Sequence, residues 1–144
     1  MIIEALISAI GSLGFGIIFN IKGKKLIFAS LGGGLSWLIY TLSLNLNNTD
    51  MSSLLFSSVI CSIYAEIFAR YLRTPVTTFI IVSIIPLVPG ASMYYTMYEA
   101  TTGDIYKAME LGLTTISNAG VIAIGVILVS TITRQIVKLK KNKS

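Results

Sequence analysis

The segment Thr74-Pro75-Val76-Thr77-Thr78-Phe79-Ile80-Ile81-Val82-Ser83-Ile84-Ile85-Pro86-Leu87-Val88-Pro89-Gly90-Ala91-Ser92-Met93-Tyr94-Tyr95-Thr96-Met97-Tyr98 decides how this chain is read. No charge interrupts it, and it is longer than the ~20 residues a helix needs to cross a hydrocarbon core. Thr74 offers a capping hydroxyl, and Pro75 suits a first helical position, where its missing N–H would go unpaired anyway. About half-way along, Pro86 and Pro89 delete two backbone donors, which is expected to strand the carbonyls of Val82 and Ile85 four residues back. Gly90 gives the freed chain conformational room. A simple kink is the plainer reading, because proline is common in membrane helices. Two prolines and a glycine within five residues favour a discontinuous helix with exposed backbone near the midplane. Half-helix ends of that kind form substrate and ion sites in transporters, because they present oriented dipoles. Tyr94, Tyr95 and Tyr98 follow at the outer interface, with Tyr94 and Tyr98 on one face, placed to gate or to anchor.

Working outward, further apolar runs cover 5–21, 26–49, 51–65 and 111–133. The charges between them alternate. Lys22, Lys24 and Lys25 come first, then Asp50 alone, then Arg70 and Arg73. Glu99, Asp104, Lys107 and Glu110 follow, and finally Arg134, Lys138, Lys140, Lys141 and Lys143. Basic residues gather at every second break, Lys107 excepted, as the positive-inside rule requires of a polytopic membrane protein. The expected fold is all-α, with five transmembrane helices, N-terminus outside and C-terminus in the cytoplasm, and the fourth helix broken at Pro86 and Pro89-Gly90. Residues 1–144 form a single five-helix domain with a short basic cytoplasmic tail over 134–144. The expected location is a bacterial cell (plasma) membrane. Mean hydropathy of +0.82 with only 12% charged residues agrees, since soluble domains carry about 25%. The net charge of +5 sits at helix ends instead of forming a face, which argues against nucleic acid and for anionic lipids at the basic tail. A secretory signal has its positive charge before the apolar stretch; here Glu4 precedes it and Lys22–Lys25 follow, so the first segment reads as a retained helix.

The remaining helices carry their own polar marks. The first, 3–21, aligns Ser8, Ser12 and Gly16 for close packing. The second, 26–44, holds Gly32-Gly33-Gly34. These pack against a neighbour or, being weak in a helix at ~1 kcal/mol each, break it and line a polar path. Trp37 and Tyr40 read as interface rings. The third, 51–72, has Asp50 as its cap and a stripe of Ser58, Ser62, Glu66 and Arg70. Glu66 and Arg70 form an i,i+4 pair, or Glu66 handles substrate or protons inside the span. The fifth, 104–133, places Thr114 and Asn118 four apart, with Thr115 and Ser117 beside them and Ala119 and Ala123 as a packing face. Asn118 requires partners in the membrane; gluing helices is the commoner use of such a residue, and the stranded carbonyls of the fourth helix are one choice.

The chain has no histidine and one cysteine, Cys61. Histidine-based catalysis, a conventional zinc site and an intrachain disulfide are therefore excluded. No GxxxxGK[ST] stretch exists to bind ATP. Neither an enzyme, nor a cofactor, nor a metal is expected.

Tyr64-Ala65-Glu66, Ala69-Arg70, Thr74-Pro75, Phe79, Ile84-Ile85-Pro86-Leu87-Val88-Pro89-Gly90, Tyr94 and Met97 together resemble the threonine/serine exporter family. The resemblance extends through Gly103, Thr114-Thr115 and Ala123-Ile124-Gly125 and is strongest over 64–125, while the first two helices match in hydropathy alone. The chain is similar to the short membrane module that forms the C-terminal half of single-chain members and a separate small subunit in two-gene members. The resemblance implies export of small hydrophilic metabolites, threonine and serine in the named members and small dicarboxylates in relatives. It also implies coupling to the proton-motive force and a larger membrane subunit as partner. The expected substrate and ion pathway comprises Glu66, Arg70, Pro86, Pro89, Gly90, Tyr94, Thr114 and Asn118. Two rival functions remain: a non-transporting scaffold or regulatory subunit, and a homo-oligomeric, self-assembling pore.

Overall fold

The computed structural model describes residues 1–141, with side chains through Leu139; Lys143 and the last part of the expected basic tail lie outside the described residues. Six α-helices follow one another: α1 (Ile2–Ile18), α2 (Lys24–Asn45), α3 (Asp50–Tyr71), α4 (Val76–Ile84), α5 (Gly90–Thr102) and α6 (Ile105–Lys141). A single 3-10 turn, Ile85–Leu87, joins α4 to α5. No strand occurs among the described residues. α2, α3 and α6 are each long and apolar enough to cross a bilayer, and α4 with its turn and α5 reach that length as a pair bent by 56°. α1 is apolar but, at 17 residues, shorter.

Two expected caps are corrected. Thr49, not Asp50, caps α3, its hydroxyl accepting from the Ser52 N–H at 3.4 Å; Asp50 begins the helix with its carboxylate engaged elsewhere. Pro75 is itself the cap of α4, one position before the place expected, and Thr74 turns its hydroxyl back to the Leu72 carbonyl. α5 ends where Gly103 takes a φ of +100°, which side-chain-bearing residues rarely adopt. The Asp104 carboxylate then accepts the Lys107 N–H at the start of α6.

Small residues set the packing. α2 runs unbroken through Gly32-Gly33-Gly34, so of the two readings of the triplet close packing holds and the local break does not. The glycines instead let two neighbours approach: Ser12 of α1 lies on Gly33, and Ser83 of α4 lies on Gly32, where in each case an added methyl group would overlap the serine hydroxyl. Gly34 meets α1 in the same way, a Cβ there standing 3.0 Å from the Ala5 carbonyl oxygen. Without a hydrophobic drive between helices in lipid, such close approach is what holds a bundle together. Phe79 is the one large ring fully buried, packed among Ala29, Ala65, Ala69 and Val82.

α3 and α6 lie side by side and point the same way. Asn118 is level with Asp50, Gly125 with Ser58, and Arg134 with Arg70. α6 has 37 residues, about 55 Å at 1.5 Å per residue. Residues 105–117 therefore extend about 20 Å beyond the start of α3, and α5, none of whose residues is buried, packs back along them. The Glu99 carboxylate and Lys107 ammonium form an ion pair across the base of this hairpin. That pairing neutralises the one lysine that departs from the alternation of charge.

Candidate functional site

The joint between α4 and α5 is built by what proline forbids. Neither Pro86 nor Pro89 donates a backbone hydrogen bond, so the helix tightens into the 3-10 turn and then opens at Val88, whose ψ is 127°. The Ile85 carbonyl, expected to be stranded, accepts the Val88 N–H at 3.2 Å, and the Gly90 N–H folds back onto the Val88 carbonyl at 2.7 Å. The Ser83 carbonyl accepts from the Ser36 hydroxyl of α2 at 2.8 Å. The Ser36 hydroxyl lies equally close to the Gly33 carbonyl, 2.8 Å away, and the Ser36 carbonyl accepts from Ser57 of α3. A hydroxyl relay across three helices therefore stabilises the break, and unpaired carbonyls at Ile85 do not.

Beside the joint opens a cleft of about 530 Å³. One wall is Pro86, Pro89, Gly90 and Ser92; the others are Trp37 and Tyr40 of α2, Asp50 of α3, and Thr114 and Asn118 of α6. Asp50 stands at its exposed edge. One carboxylate oxygen, Oδ1, accepts from the Tyr40 hydroxyl, and the other, Oδ2, accepts from Asn118 Nδ2 at 3.1 Å. Three helices thus meet on one carboxylate. Asn118 is 7% exposed, and its Oδ1 has no hydrogen-bond partner. Asn118 bonds across helices, the commoner of the two uses expected of it, and the parallel register of α3 and α6 makes its partner Asp50, not the carbonyls of the broken helix. The amino end of α5, at Gly90, Ala91 and Ser92, borders the same cleft and brings the positive pole of that helix to it.

Of the residues singled out from sequence, Pro86, Pro89, Gly90, Thr114 and Asn118 come together here. Glu66 and Arg70 do not. They lie at the opposite end of α3, about 24 and 30 Å along it from Asp50, on a second cleft of about 680 Å³ with Thr133, Arg134 and Lys138. The anticipated ion pair is formed there, Arg70 Nη2 to Glu66 Oε2 at 3.4 Å, with Glu66 8% exposed and Arg70 open to its surroundings. Tyr94 lines neither cleft. It is exposed on α5, stacked on Tyr98 at 6.4 Å between ring centres and edge-on to Tyr95 at 5.4 Å.

Trp37, Tyr40, Asp50 and Ser92 were not among the expected site residues. Asp50 had a visible signal: it is the sole charge between Lys25 and Glu66. Among the described residues no cluster of His, Cys, Asp and Glu could hold a metal ion. What the cleft offers is a carboxylate, an amide oxygen, hydroxyls and a helix amino end, groups that bind a small polar molecule.

Comparison with known proteins bears on what that molecule is. A family model described as "Threonine/Serine exporter, ThrE" matches residues 4–132. A protein of Haemophilus influenzae bearing the name "Uncharacterized protein" is 30% identical over 98 residues, 67% of this chain and 33% of that relative. The chain thus spans about a third of the relative's length. No solved structure matches the chain.

Proposed function

The chain belongs to the threonine/serine exporter family, and on that premise we propose that it is the small subunit of a secondary exporter of small hydrophilic metabolites. Its site is the cleft at the α4–α5 joint. The observation that carries this reading is the convergence there of the broken span, Asp50 and Asn118. A break in a span is tolerated where it borders a polar path or is buried in protein. The amino end of α5 suits a substrate carboxylate, and Thr114 and Ser92 supply hydroxyls to a substrate of similar polarity.

In this reading α1 also crosses, giving five spans with the N-terminus outside and the C-terminus in the cytoplasm of a bacterial plasma membrane. Arg70, Arg73, Arg134 and Lys138 then face the cytoplasm, and Asp50 faces out. The proton-motive force drives export, with the Glu66–Arg70 pair as the element that responds to it. A larger membrane subunit completes the transporter. The apolar face of the α5–α6 hairpin, where Met93, Met97, Met109 and Leu113 are exposed, supports that requirement. The basic end of α6 meets anionic lipids.

The test is efflux from cells preloaded with threonine, expressing the chain alone, with its larger subunit, and as Pro86→Ala or Asn118→Ala in that complex. Export that requires both subunits and falls at least tenfold in either variant is expected. Undiminished export in both variants would reduce this chain to a scaffold. Solute leakage down its own concentration gradient through the purified chain reconstituted alone, with no proton gradient, would make it a pore.

A further inference from the structure

From the same cleft, we infer that Asp50 is the specificity-determining residue of this exporter, recognising a primary ammonium group on the substrate with Asn118 as its second acceptor. This assignment rests on the cleft being the transport site. The Asp50 carboxylate is held from two sides, by the Tyr40 hydroxyl and Asn118 Nδ2. Both partners are neutral, so they fix its position and leave its charge uncompensated. Among the described residues no basic side chain lines this cleft, and the acid forms no ion pair; along α3 the nearest cation, Arg70, belongs to the other cleft, and along α6 the nearest, Lys107, is paired with Glu99.

Asn118 adds the second observation. Its amide nitrogen is committed to Asp50, which fixes its oxygen as an acceptor, and that oxygen is buried with nothing to accept from. A buried acceptor left without a donor is costly, and an arriving N–H group removes the penalty. Asp50 and Asn118 Oδ1 are both acceptors, whereas the α5 amino end presents donors. A ligand with an ammonium group at one end and a carboxylate at the other matches this polarity. A dicarboxylate would place a second anion beside Asp50, where like charges repel.

The experiment measures binding to the purified full-length chain, alone and with its larger subunit, using L-threonine, N-acetyl-L-threonine and succinate as probes. L-threonine should bind, while N-acetyl-L-threonine, which keeps the carboxylate but lacks the cation, should bind at least tenfold more weakly. Asp50→Asn should weaken L-threonine binding about 10- to 100-fold, as loss of a hydrogen bond to a charged group implies, while N-acetyl-L-threonine should lose no more than about twofold. Asp50→Glu should recover part of the loss. Because the probe comparison is made on the unaltered protein, it stands even if Asp50→Asn misfolds. Equal affinity for threonine and its acetylated form, or unchanged threonine binding in a folded Asp50→Asn protein, overturns the assignment and leaves the exporter reading intact. Binding of none of the probes, alone or in the complex, removes both.

Discussion

Gly125→Ala tests the packing that holds the cleft together. A methyl group at Gly125 would overlap the Ser58 hydroxyl and stand 3.1 Å from Ser58 Cβ and 3.4 Å from the Val59 nitrogen. The hydroxyl cannot move freely, because it donates to the Leu55 carbonyl at 2.9 Å. Overpacking of this kind costs about 1–3 kcal/mol, and a displaced interior hydrogen bond in a membrane helix adds about 0.6. Against these, alanine favours helix over glycine by about 1 kcal/mol. The net expectation is a destabilisation of about 0.6–2.6 kcal/mol, or a melting temperature about 2–10 °C lower for a chain of this size. The effect also reaches the site. Asn118 lies two turns along α6 at 3.1 Å from Asp50, and moving α6 outward by half an ångström takes that hydrogen bond past its useful length. Thermal unfolding of the full chain in detergent reads the first effect, and threonine affinity reads the second. Gly120→Ala is the control, since nothing lies within 4 Å of a Cβ there, and it should melt at or above the parent. Combining Gly125→Ala with Ser58→Ala should recover most of the loss, a coupling that a double-mutant cycle isolates. A Gly125→Ala protein as stable as the Gly120→Ala control would refute the packing argument.

Ser36→Ala removes the donor that meets the Ser83 carbonyl and should lower stability by about 0.6–1.7 kcal/mol, measured by the same melting assay; no loss would mean that the joint holds without the hydroxyl relay. Glu66→Gln keeps the shape of the Glu66–Arg70 contact but discharges it, and should abolish gradient-driven efflux in a protein that still inserts and assembles. Proton-coupled flux at the parental rate would free Glu66 of that role. For orientation, Cys61 is fully buried and should resist a membrane-impermeant maleimide, whereas single cysteines at Asn47 and Lys24 should react from the outside and from the cytoplasm respectively. Both reacting from one side would overturn the proposed topology.

The helices and the joint were legible because their signals are local. Prolines three apart act on their own backbone, and positive charge at alternate breaks marks where spans end. The Glu66–Arg70 pair was legible for the same reason, both partners lying one turn apart on α3. The other contacts of the cleft were not. Asp50 looks like an ordinary helix start, and only the register of α3 against α6 carries Asn118, 68 positions later, onto its carboxylate. Tyr40 likewise fits an interface ring until its hydroxyl is seen on Asp50. The glycine triplet left packing and a break both open, because intrinsic propensity counts the cost of each glycine and cannot see the serines packed on two of them. The length of α6 was also hidden, since nothing in its sequence stops a helix at Arg134.

The like direction of α3 and α6 also limits where the chain travels between them. A loop that dipped into the lipid and came back out on the side it left would send α6 off antiparallel to α3. Since both point the same way, α4 and α5 together return the chain to the end of the bundle from which α3 set out.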